Sequence, residues 1–288
     1  MTQSMTAFAA AADETPWGRL TLELRSLNHR YLEVGLRLPE EFRSMEPALR
    51  ERVTGRLNRG KVDVGIRWKR SAGGEQVLSL NRPLAEQLAA LSNEVRHLFT
   101  GSPHGSDVEW LRWPGLVQEP EPDLGSLADA VNALMDRGLD ELQAMRGREG
   151  QRLAGLLLER LDQIEPLVEQ VQAELPRIRE KMGQRLNDKV TALTQKVDGE
   201  RLEQELAVLL QRADVDEELD RLTAHVAAVR ETLQLNKPVG RRLDFLMQEL
   251  HREANTLGSK SVDTATTQVS VDLKVLIEQM REQVQNIE

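Results

Sequence analysis

Two glutamates four residues apart, Glu249 and Glu253, stand in the stretch 237–262, KPVGRRLDFLMQELHREANTLGSKSV. Carboxylates at i and i+4 share one helix face, and their repulsion costs about 0.2–0.5 kcal/mol unless a cation or a basic group lies between them. A divalent cation held by both would answer that need, and it would also lower the pKa of a bound water and stabilise charge on a phosphate. Arg242 and Arg252 are the basic alternative. A second acidic group, Asp214, Asp216, Glu217, Glu218 and Asp220, falls within seven residues. Helix capping and solvated charge explain most such groups, but Asp216 and Glu217 become further metal ligands if the fold lays them against Glu249 and Glu253. The candidate catalytic set is therefore Glu249, Glu253 and Arg252, and the candidate metal set is Glu249, Glu253, Asp216 and Glu217, with Arg241, Arg242, Asn255 and Lys260 placed to contact a polyanion.

A second concentration of chemistry lies near the N-terminus. RSLNHRY holds Arg25, Asn28, His29, Arg30 and Tyr31 within seven residues, and Arg59 and Lys61 follow in RGKVDV. Asn28 and His29 can simply build a turn, and Tyr31 can be core. Alternatively Arg25 and Arg30 hold a nucleic-acid backbone while Tyr31 or His29 stacks on a base. Residues 19–70 contain 13 Lys or Arg against 7 Asp or Glu, in a chain whose net charge is −9. That segregation lets one region grip a polyanion while the rest stays acidic.

The elements that must position these groups follow from periodicity. Leu243, Leu246, Met247, Leu250, Ala254 and Leu257 form one apolar stripe at helical spacing, with Pro238 suited to the helix start and Gly258 to its end. Leu20, Leu22 and Leu24, then Leu32, Val34, Leu36 and Leu38, then Val62, Val64, Ile66 and Trp68 alternate as strands. Phe42, Met45, Leu49, Val53 and Leu57 trace a helix between them. A Gly73-Gly74 turn leads to a short strand near Val77–Leu80, and Leu84, Leu88, Leu91, Val95 and Leu98 resume a helical period. Residues 100–125 are broken by Gly and Pro, and within them Trp110 and Trp113 are expected to anchor the connector to the core. From Leu127 onward nearly everything is helical, with bends or breaks expected at Pro166 and Pro176. The fold class is α+β: an N-terminal antiparallel sheet with packed helices, then a long, mainly helical C-terminal region. Its segments are 1–125 with the basic surface, 126–236 as a helical arm whose weak apolar stripe calls for partner chains, and 237–288.

Composition narrows the chemistry further. With no cysteine, disulfides, thiolate zinc sites and cysteine nucleophiles are excluded. The five histidines, His29, His97, His104, His225 and His251, are scattered, and HREAN is not an HExxH helix, so a zinc hydrolase is not expected. No run of 18 apolar residues and no basic leader occur, which predicts a cytoplasmic protein without a membrane span.

SMTAF at 4–8, RSLNHRYLEVGLRLPEEFRSMEP at 25–47, RGKVDV at 59–64, LRWPG at 111–115, RLEQELAVLLQRADVDEELDRLTAHV at 201–226 and GRRLDFLMQELHREANTLGSKS at 240–261 together resemble the YicC/YloC family of bacterial proteins. The resemblance runs from Ser4 to the terminal MREQVQNIE. It implies a cytoplasmic, metal-dependent endoribonuclease acting on single-stranded RNA, with an N-terminal α/β domain and a helical C-terminal region, assembled as a ring-like homohexamer; the divalent cofactor is expected to be manganese or magnesium. His251 stands where the family motif often carries Asn, so it is not expected to be an obligatory general base. The competing reading is a non-catalytic RNA-binding adaptor that presents RNA to a separate nuclease, and either reading admits other RNA-degradation proteins as partners.

Overall fold

The computed structural model describes residues 2–70, 78–99, 106–118, 122–193 and 214–288. The Gly73-Gly74 turn, His104 and the stretch containing Glu205 lie outside the described residues. The three alternating segments and a strand before them form a four-stranded sheet in the order β1-β2-β4-β3, with β1 Ala7–Thr15, β2 Gly18–Leu27, β3 Leu32–Arg37 and β4 Gly60–Arg70. β2 and β4 pair antiparallel as expected, with Leu22 opposite Ile66 and Leu24 opposite Val64, and β1, which no alternation announces, pairs antiparallel with β2. β3 instead joins β4 in parallel. The cause is its connection: a 3-10 turn at Glu40–Met45 and helix α1, Glu46–Arg56, carry the chain across the sheet before β4 starts, as a parallel crossover requires. Phe42, Leu49, Val53 and Leu57 from this connection are buried against Leu20, Leu22, Leu24, Val62, Val64 and Ile66.

Next comes a small satellite. Strands β5, Ser79–Leu80, and β6, Val117–Gln118, bracket α2, Arg82–Leu98, and α3, Asp107–Leu111. Asn81 caps α2 by accepting from Leu84 N at 3.3 Å, and Ser106 and Glu109 form a capping box on α3. Leu116 is the buried anchor of this segment, while Trp113 is 53% exposed and does not serve the anchoring role expected of it.

Helix α4, Leu124–Leu193, runs uninterrupted through Pro166 and Pro176. Its apolar face is buried on both sides of Pro166, through Ile164 and Val168, and just before Pro176, through Leu175, so packing supports the helix where local preference would break it. Leu127, Val131, Leu134, Met135, Leu139 and Leu142 pack on the sheet. Gly138 permits the close approach, because a Cβ there would stand 2.4 Å from Leu22 Cδ2. Leu153, Leu157, Leu161, Ile164, Val168, Val171 and Leu175, further along the same helix, enter a second core with α5, Asp216–Gln234, α6, Gly240–Lys260, and α7, Thr264–Val284. Arg230 fastens α5 to α4 through Asp162 at 2.5 Å and Glu165 at 3.1 Å.

Both ends of the described chain meet on α4 between the two cores. Ser4 N donates to Arg146 O at 2.9 Å, buried Arg146 donates from Nε to Ser4 O at 2.7 Å and pairs with the Glu288 carboxylate, and Glu288 N donates to Gln3 O at 2.9 Å. Among the described residues no helix is long and apolar enough to cross a membrane.

Candidate metal centre

Helices α5 and α6 are joined by five residues, 235–239, and so pack as an antiparallel hairpin. This brings two i,i+4 pairs face to face: Arg221 and His225 on α5, Glu249 and Glu253 on α6. The six residues of the predicted apolar stripe on α6 are all buried, and Glu253 is buried with them at 4% exposure. Gly258 does not end the helix as expected; a Cβ there would lie 2.5 Å from Ser270 Oγ, so it serves as the contact point with α7.

Ligating atoms of His225, Glu249 and Glu253 all lie within 4.8 Å of one another. Two atoms bound at about 2.1 Å to one ion stand roughly 3–4 Å apart, so small side-chain movements would close this set around a cation. Glu253 has one ion-pair partner among the described residues, Arg221 Nη1 at 3.5 Å, a separation beyond an ordinary hydrogen bond. Two carboxylates and an imidazole brought this close together are a donor set that divalent transition metals take, and a bound cation would add to the single guanidinium that faces the buried Glu253. The residues therefore fit a divalent metal.

The structure distributes the other expected site residues differently. Arg242 and Arg252, expected to neutralise the glutamates, are exposed and pair with neither; Arg221 takes that place because it projects from the facing helix. Asp216 does not reach the cluster. It accepts from Arg179 at 2.7 Å, and this hydrogen bond, seconded by the nearby Asp214, raises the Arg179 pKa above its usual value. Glu217 is also outside the three-residue set and pairs with Arg221 at 2.5 Å, so it touches the site only through that arginine. Lys260 is held by the buried carboxylate of Glu218 at 2.8 and 3.0 Å rather than extended into solvent. Asn255 contacts His251 Nδ1 at 3.0 Å, and Arg241 is exposed.

His225 escaped the sequence reading, because the partners that give it meaning lie on another helix. The available signal was its place one turn after Arg221, on the face that turns toward the two glutamates.

The N-terminal candidates gather at one end of the sheet. Arg59 Nε donates to His29 O at 3.1 Å, Asn28 Nδ2 to Gln285 O at 2.6 Å, and Lys61 lies 3.6 Å from Glu33. Tyr31 is 64% exposed and so is not core, and Arg30 covers its ring at 5.2 Å. Arg25 is on β2 rather than in the loop, with its side chain on the solvent face of the sheet.

Two family models divide the chain between them: the N-terminal region of YicC-like endoribonucleases matches residues 2–155, and their C-terminal region matches residues 171–288. A protein of Haemophilus influenzae named "Probable endoribonuclease YicC" is 42% identical over 289 residues, with both chains covered in full. A protein of the same name from Clostridioides difficile is 30% identical over 293 residues, again with full coverage of both. With two matched regions spanning nearly its whole length, the chain belongs to the YicC-like endoribonuclease family.

Proposed function

We propose that the protein is an endoribonuclease that cleaves single-stranded RNA with a divalent cation held by His225, Glu249 and Glu253. The convergence of these three side chains from two helices carries the reading, and the names of the two relatives support the reaction class. One imidazole with two carboxylates favours manganese over magnesium, because magnesium prefers an all-oxygen shell and imidazole suits the later transition metals. When bound, the cation would supply an activated water and charge stabilisation at the scissile phosphate. Glu249 and Glu253 bind and orient, while His225 fixes the third direction of the set. Arg252, exposed beside Glu253, and Arg242 and Arg241 on the same helix present positive charge to RNA phosphates. Arg25, Asn28, His29, Arg30, Tyr31, Arg59 and Lys61 form the second RNA contact region.

The protein also assembles with copies of itself in this reading, as the homohexamer the family resemblance implies. Support comes from α2, whose apolar stripe leaves Leu91, Val95, Leu98 and Phe99 between 47% and 77% exposed, more apolar surface than a solitary helix leaves in water.

The test is incubation of purified protein with labelled single-stranded RNA, with EDTA and with manganese or magnesium added. Internal cuts that need metal and vanish in Glu253→Gln are expected. RNA bound tightly but never cut would leave the adaptor reading in place.

A further inference from the structure

We propose that the solvent face of the four-stranded sheet is a stacking platform for a base of single-stranded RNA, built from Phe8, Arg25 and Arg37 around Gly65. This deepens the function proposed above and rests on RNA being the substrate. Alternation sends Leu20, Leu22, Leu24, Val62, Val64 and Ile66 inward, so their neighbours face outward. In register, Phe8 lies opposite Arg25 and Arg25 opposite Asp63, while Glu23 lies opposite Gly65 and Gly65 pairs with Arg37. These residues line an open cleft of about 570 Å³, within the range of sites that take a small organic group.

Three features give the cleft its chemistry. Phe8 is 53% exposed on a strand whose other outward residues include Ala10 and Ala12, so an aromatic face is offered to solvent at one edge of the cleft. Gly65 leaves the floor bare although packing does not demand it: a Cβ there would meet nothing nearer than Glu23 O at 4.0 Å. Glycine inside a strand weakens it and marks places where a ligand or another backbone comes close. Charge supplies the third feature. Arg67 is engaged by Glu23 at 3.6 Å, whereas Arg25 and Arg37 have no ion-pair partner among the described residues. Arg25 stands beside the Phe8 ring and Arg37 across the cleft on the opposite edge strand, so the two uncommitted guanidinium groups can take phosphates on either side of a base that stacks on the ring. A duplex hides the faces of its bases, so the platform selects a single strand.

The experiment uses the full chain and a fluorescein-labelled single-stranded RNA of mixed sequence, with anisotropy read in EDTA so that binding is separated from cleavage. Phe8→Ala should weaken binding about 5- to 150-fold, the loss expected of one stacked base, while Phe8→Trp should preserve it. Gly65→Val favours the strand and fills the floor, so it should weaken binding without unfolding the sheet. Arg37→Ala should make the log–log salt dependence shallower by about 0.7. Light scattering on the same samples reads assembly. Unchanged affinity in both Phe8→Ala and Gly65→Val overturns the proposal, whether the mass holds or falls. So does a loss of affinity that accompanies a loss of mass and disappears at protein concentrations where the mass is restored, since the face would then belong to a contact between copies. Wild type that binds RNA through this face but never cuts it removes the nuclease reading alone; wild type that cuts RNA while the sheet variants bind normally removes the platform alone.

Discussion

Along α4 the first core buries Leu, Val and Met against the sheet and, among the described residues, no carboxylate, whereas the second, formed with α5, α6 and α7, buries Glu218 and Glu253 at 5% and 4% exposure. The two cores share one helix and differ in what they tolerate inside. Burying a carboxylate costs several kcal/mol unless charge or hydrogen bonds compensate it. Glu218 is compensated directly by Lys260; Glu253 is compensated only at 3.5 Å by Arg221. The carboxylate with the more distant partner is the one beside His225 and Glu249. In the proposed function the sheet core is thus a scaffold whose RNA-contacting surface faces outward, while the helical core holds its candidate metal ligands partly inside.

Removing the carboxylate charge from the helical core should break this contrast most sharply. Glu253→Gln and His225→Ala are each expected to reduce cleavage at saturating manganese by at least about 100-fold, since changes even beyond the ligand shell cost 10–100-fold. Manganese should raise the thermal midpoint of wild type by mass action and should leave that of His225→Ala unmoved. Retained cleavage with a lowered midpoint in Glu253→Gln would make the glutamate structural and bring the two cores closer in kind.

Cavities should test whether the cores stand or fall together. Leu134→Ala, under the sheet, and Leu250→Ala, in the helical core, should each cost about 2–5 kcal/mol, as both side chains are fully buried. Because α4 enters both cores and both chain ends bind Arg146 between them, calorimetry should show one transition that both changes lower. Two separated transitions, each moved by one variant only, would mean that the cores are independent.

A smaller effect distinguishes two glycines of α4. Gly138→Ala places a Cβ 2.4 Å from Leu22 Cδ2, overpacking that should cost about 1–3 kcal/mol. Gly147→Ala meets nothing within 4 Å and should gain about 0.5–1 kcal/mol from helix propensity. Urea titrations giving both variants the same sign of change would show that the sheet contact is looser than its geometry indicates. Smallest of all is Asp216→Asn, which loosens the pair with Arg179. With side chains 54% and 45% exposed, the pair contributes at most about 1 kcal/mol, and cleavage should be nearly unchanged because Asp216 is outside the three-residue cluster.

Helix α6 was legible because six apolar residues recur at the helical period, and all six are buried, whereas Phe245, off that stripe, is exposed. Strand β1 was not, because Ala9, Ala10, Ala11 and Ala12 show no alternation of polar and apolar residues even though they pair residue by residue with β2. Trp113 suggested an anchor by its size and lies exposed, while Leu116 three residues later is buried. At the candidate metal centre Glu249 and Glu253 could be singled out from their spacing, since an i,i+4 pair is a property of one helix. His225 and Arg221 could not, since their roles depend on the facing helix.

By itself the sequence determined what short-range periodicity can encode: the strands at Leu20–Leu24 and Val62–Ile66, the long helices, the α+β class, and the pair of like charges that calls for a cation or a basic group. Only the tertiary structure decided which groups answer those charges. Arg242 and Arg252 are near in sequence but point to solvent, Asp216 is taken by Arg179 and Lys260 by Glu218, while Arg221 and His225 come across the hairpin to meet Glu253 and Glu249. Electrostatic attraction falls with distance through space and takes no account of distance along the chain, so the pairing of buried charges is settled by the packing of α5 on α6.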